Sequence, residues 1–91
     1  SLEHCTEAEF YAFFARYKEF LGSGGVIYFS MKTGIDDGYD ALGRWCLGFS
    51  DRRLQRILAD NPDLERARYW KTPDNLHRDL TWANVILKKA F

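Results

Sequence analysis

Aromatic and aliphatic residues recur every three or four positions near the beginning of the chain, with charged residues between them. The apolar set comprises Phe10, Phe13, Phe14, Tyr17, Phe20 and Leu21. This spacing predicts an amphipathic helix over about residues 7–21. Thr6 and Glu9 have the spacing of a capping box, in which each side chain accepts the backbone N–H of the other residue. Gly22 is expected to end the helix.

The pattern changes to alternation after the glycines at positions 22–25. Residues 26–31 are rich in β-branched and aromatic types, which favours a strand. Alternate residues point to opposite faces of a strand, and the more apolar face carries Ile27, Phe29 and Met31. We expect this face to pack against the helix. The opposite face, which carries Val26, Tyr28 and Ser30 and ends at Lys32, is expected to be available for a ligand.

The middle of the chain gives weaker signals. Residues 34–40 carry glycines and aspartates and predict an acidic loop, and residues 42–49 fit a helix or a strand equally well. Two interpretations compete for the next segment. Ser50 can cap a helix over about residues 51–60 that ends at Asn61-Pro62. Alternatively, residues 55–59 and 64–70 form two strands joined by a turn at Asp60–Asp63, where turn-forming residues cluster.

The last segment predicts a second helix, over about residues 72–89. Thr72 suits the N-cap, Pro73 suits the first turn, and Asp74 suits the positive end of the helix dipole. Apolar residues then form one stripe at helical spacing, namely Leu76, Leu80, Ala83 and Leu87.

These elements predict one α+β domain over residues 1–91. Two terminal helices would pack on one face of a small antiparallel sheet, in the order α-β-β-β-α. The alternative is a mainly α-helical bundle with one β element.

Charge is balanced overall but unevenly distributed along the chain. Thirteen basic residues match thirteen acidic ones, while residues 1–49 have a net charge of −3 and residues 50–91 a net charge of +3. A basic surface is therefore expected from the second half. Aromatic residues make up 16% of the chain, more than so small a body can easily cover, so some rings are expected at a partner interface.

The sequence predicts neither a metal site nor a cofactor. His4, Cys5, Cys46 and His77 lack the spacing of a zinc site, and Cys46 is expected to be a small core residue. No apolar run reaches the length of about 20 residues that a membrane span requires. We expect a soluble, cytoplasmic protein that does not contact membranes and is not an enzyme.

The candidate ligand-binding residues combine cations with aromatic rings. Guanidinium groups suit phosphate, and aromatic rings can stack on bases or anchor a protein partner. The candidate cations are Lys32, Arg52, Arg53, Arg56, Arg66, Arg68 and Lys71. The candidate stacking or partner-contacting residues are Tyr28, Trp45, Tyr69 and Trp70. Nearby acids make a solvated helix face the competing interpretation of these cations.

A short segment resembles a DNA-binding motif. Leu47-Gly48-Phe49-Ser50 and the residues up to Leu58 resemble the turn and recognition helix of helix-turn-helix proteins. Gly48 falls in the turn, and Leu54 and Ile57 fall at the positions that face inward.

A second resemblance covers most of the chain. Phe10, Arg16, Gly25, Tyr28 and Lys32, with Trp82, Asn84, Val85 and Ile86, follow the pattern of the fourteen-kilodalton Alu-domain subunit of the signal recognition particle. That family implies an α-β-β-β-α fold, a sister subunit, and RNA held by the sheet. The resemblance makes residues 54–71 a hairpin, so a helix at residues 51–60 would contradict the resemblance itself.

These observations favour a non-catalytic binding module. RNA is the first candidate ligand, bound through a sheet face and basic residues. A protein-interaction domain that uses exposed aromatics is the second candidate, and a helix-turn-helix DNA binder is the third. The expected partners are RNA or a protein, with a heterodimer or homodimer as a further possibility.

Overall fold

The computed structural model of the protein describes residues 2–76 and 78–91. Within these residues, two α-helices and five strands follow one another. They are α1 (Glu7–Tyr17), β1 (Val26–Thr33), β2 (Gly38–Tyr39), β3 (Trp45–Cys46), α2 (Asp51–Asp60), β4 (Leu64–Pro73) and β5 (Thr81–Lys89). Short 3-10 turns occupy Leu2–His4 and Lys18–Phe20. The fold is therefore α+β, as the sequence predicted.

The first helix and the first strand agree with the sequence prediction. Glu9 N–H donates to the Thr6 hydroxyl at 3.2 Å, and Thr6 N–H donates to the Glu9 carboxylate at 2.9 Å, which completes the capping box. The helix becomes a 3-10 turn at Lys18 and stops before Gly22. β1 runs from Val26 and continues two residues beyond the predicted end.

Residues 51–60 form a helix, which decides between the two interpretations of this segment. The Ser50 hydroxyl accepts the N–H of Arg53 at 3.3 Å, as the capping pattern predicted. The hairpin over residues 54–71 is wrong, because the first half of that segment is α2 and only β4 is extended. Helix-turn-helix geometry is also absent from the described part of this region, because strand β3 precedes α2 where a first helix is needed.

The predicted C-terminal helix is wrong, since residues 81–89 form strand β5 and Pro73 ends strand β4. The apolar residues of β5 alternate in burial, with Ala83, Val85 and Leu87 facing the core. Ala83 and Leu87 are four residues apart, so they fit a helical stripe as well as a strand face. Pairing with strands on both sides determines the outcome. The order α-β-β-β-α and the mainly α-helical alternative are both incorrect.

Three strands form one antiparallel sheet in the order β1-β5-β4, and β2 pairs with β3 in a separate small hairpin. Ile27 lies opposite Leu87, and Phe29 lies opposite Val85. Both helices pack on this face of the sheet, where Phe14 contacts Phe29 with ring centroids 5.1 Å apart. The core cluster also includes Phe10, Met31, Leu47, Phe49, Leu54, Ile57, Leu64, Ala83 and Val85.

No helix among residues 2–76 and 78–91 is both long enough and apolar enough to cross a membrane.

Candidate nucleic-acid interface

The two faces of the sheet differ sharply in burial. Along β1, Ile27, Phe29 and Met31 are buried, whereas Val26 is 54% exposed and Tyr28 is 58% exposed. The helices cover the first set and leave the second uncovered. The sequence-based division of β1 into a core face and an available face is confirmed. We call the uncovered side the outer face and define it by the outward residues of β1, β4 and β5.

Aromatic side chains from all three strands meet on the outer face. Tyr28 comes from β1, Trp70 from β4 and Trp82 from β5. Trp70 lies opposite Asn84 on the central strand, and Tyr28 lies opposite Ile86, the next outward residue of that strand. The ring centroids of Tyr28 and Trp70 are 6.2 Å apart, with planes tilted by 32°. Such a set of rings presents flat apolar surface to solvent on a rigid support.

The side chain of Asn84 stabilises this arrangement through hydrogen bonds to the neighbouring strands. This side chain is buried although it lies on the outer face, with only 6% of the residue exposed. Its carboxamide oxygen accepts the Tyr28 hydroxyl at 3.0 Å, and its amide donates to the Thr72 hydroxyl at 3.1 Å and to the Trp70 carbonyl at 3.4 Å. One polar residue therefore ties the three strands together and restricts the Tyr28 ring.

Cations lie beside the rings. The Arg68 guanidinium carbon is 4.3 Å from the Trp70 ring centroid, and the Lys32 ammonium is 5.9 Å from the Trp82 ring centroid. Lys88 lies on the same face, opposite Val26 and Glu65. In the described residues, no carboxylate forms a salt bridge with Lys32 or Arg68. Both charges therefore remain available to an anion.

The loop between β4 and β5 borders the outer face and is organised by Asp74. This carboxylate is 5% exposed and accepts from Arg78 Nε, Arg78 Nη2 and Trp82 Nε1, each at 2.9 Å. These bonds hold the pKa of Asp74 well below its usual range, with the Arg78 hydrogen bonds as the largest cause and Trp82 next. Asp74 thereby orients the Trp82 ring at the edge of the outer face.

Asp74 gives a testable pH dependence of stability. Its folded-state pKa lies below the ordinary value of 3.8, so the unfolded chain takes up the proton first as the pH falls. The stabilisation is complete above about pH 5 and declines as the pH drops through the folded-state pKa. We expect Asp74→Asn to unfold at a lower urea concentration at pH 6 and to lose less further stability between about pH 5 and pH 2 than the unaltered protein.

Asp79→Asn is the matched control, because Asp79 is an exposed acid of the same loop. Urea midpoints measured across this pH range should retain the original pH dependence in Asp79→Asn. Equal pH slopes for Asp74→Asn and the unaltered protein would contradict the role given to Asp74. The pKa values of Asp37, Asp40 and Asp63 are also lowered, so the stability of every variant still depends on pH to some extent.

The structure separates the predicted site residues into groups. Tyr28, Lys32, Arg68 and Trp70 meet on the outer face. Arg66, Tyr69 and Lys71 lie on the helix side of β4, because a bulge at Ala67 shifts the alternation between Arg66 and Arg68. Trp45 belongs to the β2–β3 hairpin, where its ring centroid lies 5.3 Å from that of Tyr39.

Two of the cations of α2 form contacts with other parts of the fold. Arg53 makes a two-pronged contact with Asp37, at 2.8 Å and 2.6 Å, and also donates to the Gly48 carbonyl at 2.6 Å. Arg56 stacks over Tyr11 with its guanidinium carbon 3.9 Å from the ring centroid, and it contacts Glu7 at 3.3 Å. The Arg53 side chain is 12% exposed, whereas that of Arg56 is 52% exposed. Arg52 is exposed on the same helix and lies apart from the outer face.

Sequence reasoning missed Trp82, Asn84 and Lys88 as members of the interface. The predicted helix over residues 72–89 placed them on a different kind of element. The available signal was the recurrence of Ala83, Val85 and Leu87 at every second position between Trp82 and Lys88, although Ile86 interrupts the alternation of apolar and polar residues.

Cys46 lies in a polar surrounding but is a poor nucleophile. Its sulfur is 3.7 Å from His4 Nδ1 and 3.7 Å from a carboxylate oxygen of Asp40. Burial is the main cause that raises the pKa of this thiol, and the charge of Asp40 adds to it, so the thiolate is disfavoured. No three His, Cys, Asp or Glu side chains within residues 2–76 and 78–91 are grouped to hold a metal ion. His77 lies outside the described residues.

Neither a scan against protein-family models nor a search of curated proteins found a match to this chain.

Proposed function

We propose that this protein binds RNA on the outer face of its sheet, by stacking unpaired bases on Tyr28, Trp70 and Trp82. The supporting observation is that three aromatic rings lie on an uncovered sheet face beside two cations that form no salt bridge within the described residues. Sheet-borne aromatics that stack two or three bases are a recurrent means of recognising single-stranded RNA. Lys32, Arg68 and Lys88 would contact the phosphates that connect these bases.

The dimensions of the face suit a short stretch of RNA. Trp70 lies opposite Asn84, and the Tyr28 hydroxyl reaches the Asn84 side chain. Trp82 lies two residues from Asn84 along the same strand, toward the loop ordered by Asp74. Because the Arg68 guanidinium already covers one part of Trp70, a base on that ring would also contact a cation. The proposed ligand is therefore a few unpaired nucleotides, in keeping with a subunit of a cytoplasmic ribonucleoprotein.

A protein partner is the second candidate, since Tyr and Trp are also the preferred anchors of protein interfaces. Salt dependence distinguishes the two. Three phosphate contacts on a single strand predict a slope of about −2 for the logarithm of the affinity against the logarithm of salt concentration. Fluorescence anisotropy with a labelled oligouridine of about ten nucleotides, over about 50–300 mM salt, measures this slope.

Arg68 and Arg66 form a matched pair for the same assay. They are two residues apart on β4 but face opposite sides of the sheet because of the bulge at Ala67. We expect Arg68→Ala to weaken RNA binding by about tenfold and to make the salt slope shallower by about 0.7. Arg66→Ala should leave both quantities unchanged. Equal losses in the two variants, or binding that ignores salt, would refute RNA binding at the outer face.

A further inference from the structure

Strand β4 is an edge of the sheet with free backbone groups. Lys89 N–H donates to the Gly25 carbonyl, and Gly24 N–H donates to the Lys89 carbonyl, so Lys89 directs its backbone toward β1. These directions alternate from one residue to the next along an antiparallel strand. Lys89 and every second residue before it therefore bond to β1, and the residues between them, such as Asn84, bond to β4. On β4, Tyr69 and Lys71 lie opposite the residues that bond to β1, so their own N–H and C=O groups point outward from the sheet.

The side chains at these positions border a groove. Tyr69 and Lys71 line one wall together with Arg66, and Leu54 and Leu58 of α2 line the opposite wall. The groove has a volume of about 590 Å³ and also contacts Asp51, Gln55 and Trp70. An apolar helix face thus runs beside a strand whose backbone is free, and an extended chain could use both at once.

The groove is positively charged. In the described residues, neither Arg66 nor Lys71 forms a salt bridge with a carboxylate. The acid in the groove, Asp51, accepts the Tyr69 hydroxyl at 2.7 Å. Burial, followed by this hydrogen bond, raises the pKa of Tyr69 to about 12, so the hydroxyl stays protonated as a donor. Two cations beside leucine side chains complement a ligand that carries acids on both sides of an apolar residue.

The free edge is bounded at both ends. The bulge at Ala67 interrupts pairing on one side, and Pro73, which has no N–H, stops it on the other. Bulges, prolines and exposed cations also keep sheet edges from pairing indiscriminately with other chains. The same cations would attract an acidic strand and repel a basic one.

We propose that the edge of β4 accepts an extended acidic segment of a partner protein as an additional antiparallel strand, with an apolar side chain of that segment between Leu54 and Leu58. The apolar residue lies opposite Tyr69, and the acids two positions to either side lie near Arg66 and Lys71. This site lies on the opposite side of β4 from the outer face, although Trp70 borders both, and it does not depend on RNA binding.

The probe is a synthetic peptide with the central sequence Glu-Thr-Leu-Thr-Glu. Its binding is measured by NMR of the isotopically labelled protein. We expect chemical-shift changes at Leu54, Leu58 and the backbone of β4, and slower amide hydrogen exchange at Tyr69 and Lys71. Arg66→Ala combined with Lys71→Ala should weaken binding by about tenfold or more. Arg68→Ala, on the outer face, should leave peptide binding unchanged.

Backbone methylation of the peptide tests strand addition itself. Methylation of the Leu nitrogen removes a donor that points toward β4 and should weaken binding by about tenfold. Methylation of a Thr nitrogen, which points away, should have little effect. Three outcomes would overturn the proposal: no binding at about 1 mM peptide, equal effects of the two methylations, or shift changes confined to the outer face. None of them bears on RNA binding, which the Arg68 variant tests separately.

Discussion

Replacing Trp70 with alanine is expected to weaken binding of an unpaired oligouridine by about ten- to a hundredfold, because a base stacked on an aromatic side chain contributes about 1–3 kcal/mol. Trp70 contacts both a ring and a cation of the outer face. Its ring neighbours Tyr28 on one side, and the Arg68 guanidinium lies 4.3 Å from its centroid. Removing it therefore takes away a stacking surface and also the support that positions a cation.

Phe20→Ala is the matched control for this measurement. Phe20 is 85% exposed at the end of the 3-10 turn after α1, so it is an aromatic on the surface but away from the sheet. Its removal should leave RNA affinity unchanged. Circular dichroism and a urea midpoint verify that Trp70→Ala retains the fold. If both variants bind RNA equally well, base stacking on Trp70 is excluded.

Tyr28 offers a second, finer measurement on the same face. Its hydroxyl donates to Asn84 at 3.0 Å, so Tyr28→Phe keeps the ring but releases it from the polar residue beneath. If stacking depends on the ring alone, Tyr28→Phe binds RNA almost normally while Tyr28→Leu does not. The comparison therefore separates the ring surface from its anchoring, with anisotropy as the readout.

Local patterns in the sequence were sufficient for the parts of the fold that depend on local interactions. The capping box at Thr6 and Glu9 and the Ser50 cap each involve residues three positions apart, and both are present. The two faces of β1 followed from simple alternation. These features depend on neighbouring residues, so no knowledge of distant partners was needed.

The C-terminal strand could not be predicted in this way because its stability comes from distant segments. Ala83 and Leu87 fit both helical and strand periods, and Thr72-Pro73-Asp74 has the composition of a helix start. The structure uses Asp74 to order a loop and pairs β5 with β1 and β4, whose residues are remote in sequence. Pairing on both sides outweighs the local helical preference.

The candidate site was only partly predictable for a related reason. Strict alternation would place Arg66, Arg68 and Trp70 on one face of β4. The bulge at Ala67 moves Arg66 to the helix side and leaves Arg68 with Trp70. A bulge depends on how two strands are paired, and no pattern in this stretch of sequence predicts it. The division of the basic residues between the outer face and the groove follows from that one extra residue.

Gly48→Ala is expected to be the most destabilising small substitution considered for this protein. Gly48 is buried in the segment between β3 and α2, and a Cβ atom added there would lie 2.0 Å from the backbone carbonyl oxygen of Ile35. Backbone atoms cannot move aside as the end of a side chain can. The two segments must separate, which should cost at least about 1–3 kcal/mol of unfolding free energy.

The contacts around Gly48 make that separation costly. Gly48 N–H donates to the Asp37 carboxylate at 3.0 Å, and its carbonyl accepts from Arg53 at 2.6 Å. Asp37 also binds Arg53 directly, so displacing Gly48 breaks two of the three contacts that connect Asp37, Gly48 and Arg53. For a domain of this size, a loss of about 2–3 kcal/mol corresponds to a decrease of roughly 10–20 °C in Tm.

Gly38→Ala is the control for Gly48→Ala because it adds the same methyl group in the neighbouring hairpin, with no atom within 4 Å of the new Cβ. It should unfold within a few degrees of the unaltered protein in a thermal scan. A Tm for Gly48→Ala as high as that of Gly38→Ala would show that the Ile35 carbonyl does not lie against Gly48. A large loss of Tm in Gly48→Ala alone would indicate that the close approach of Gly48 to Ile35 is needed for stable packing of the segment before α2. The same helix forms one wall of the groove beside β4.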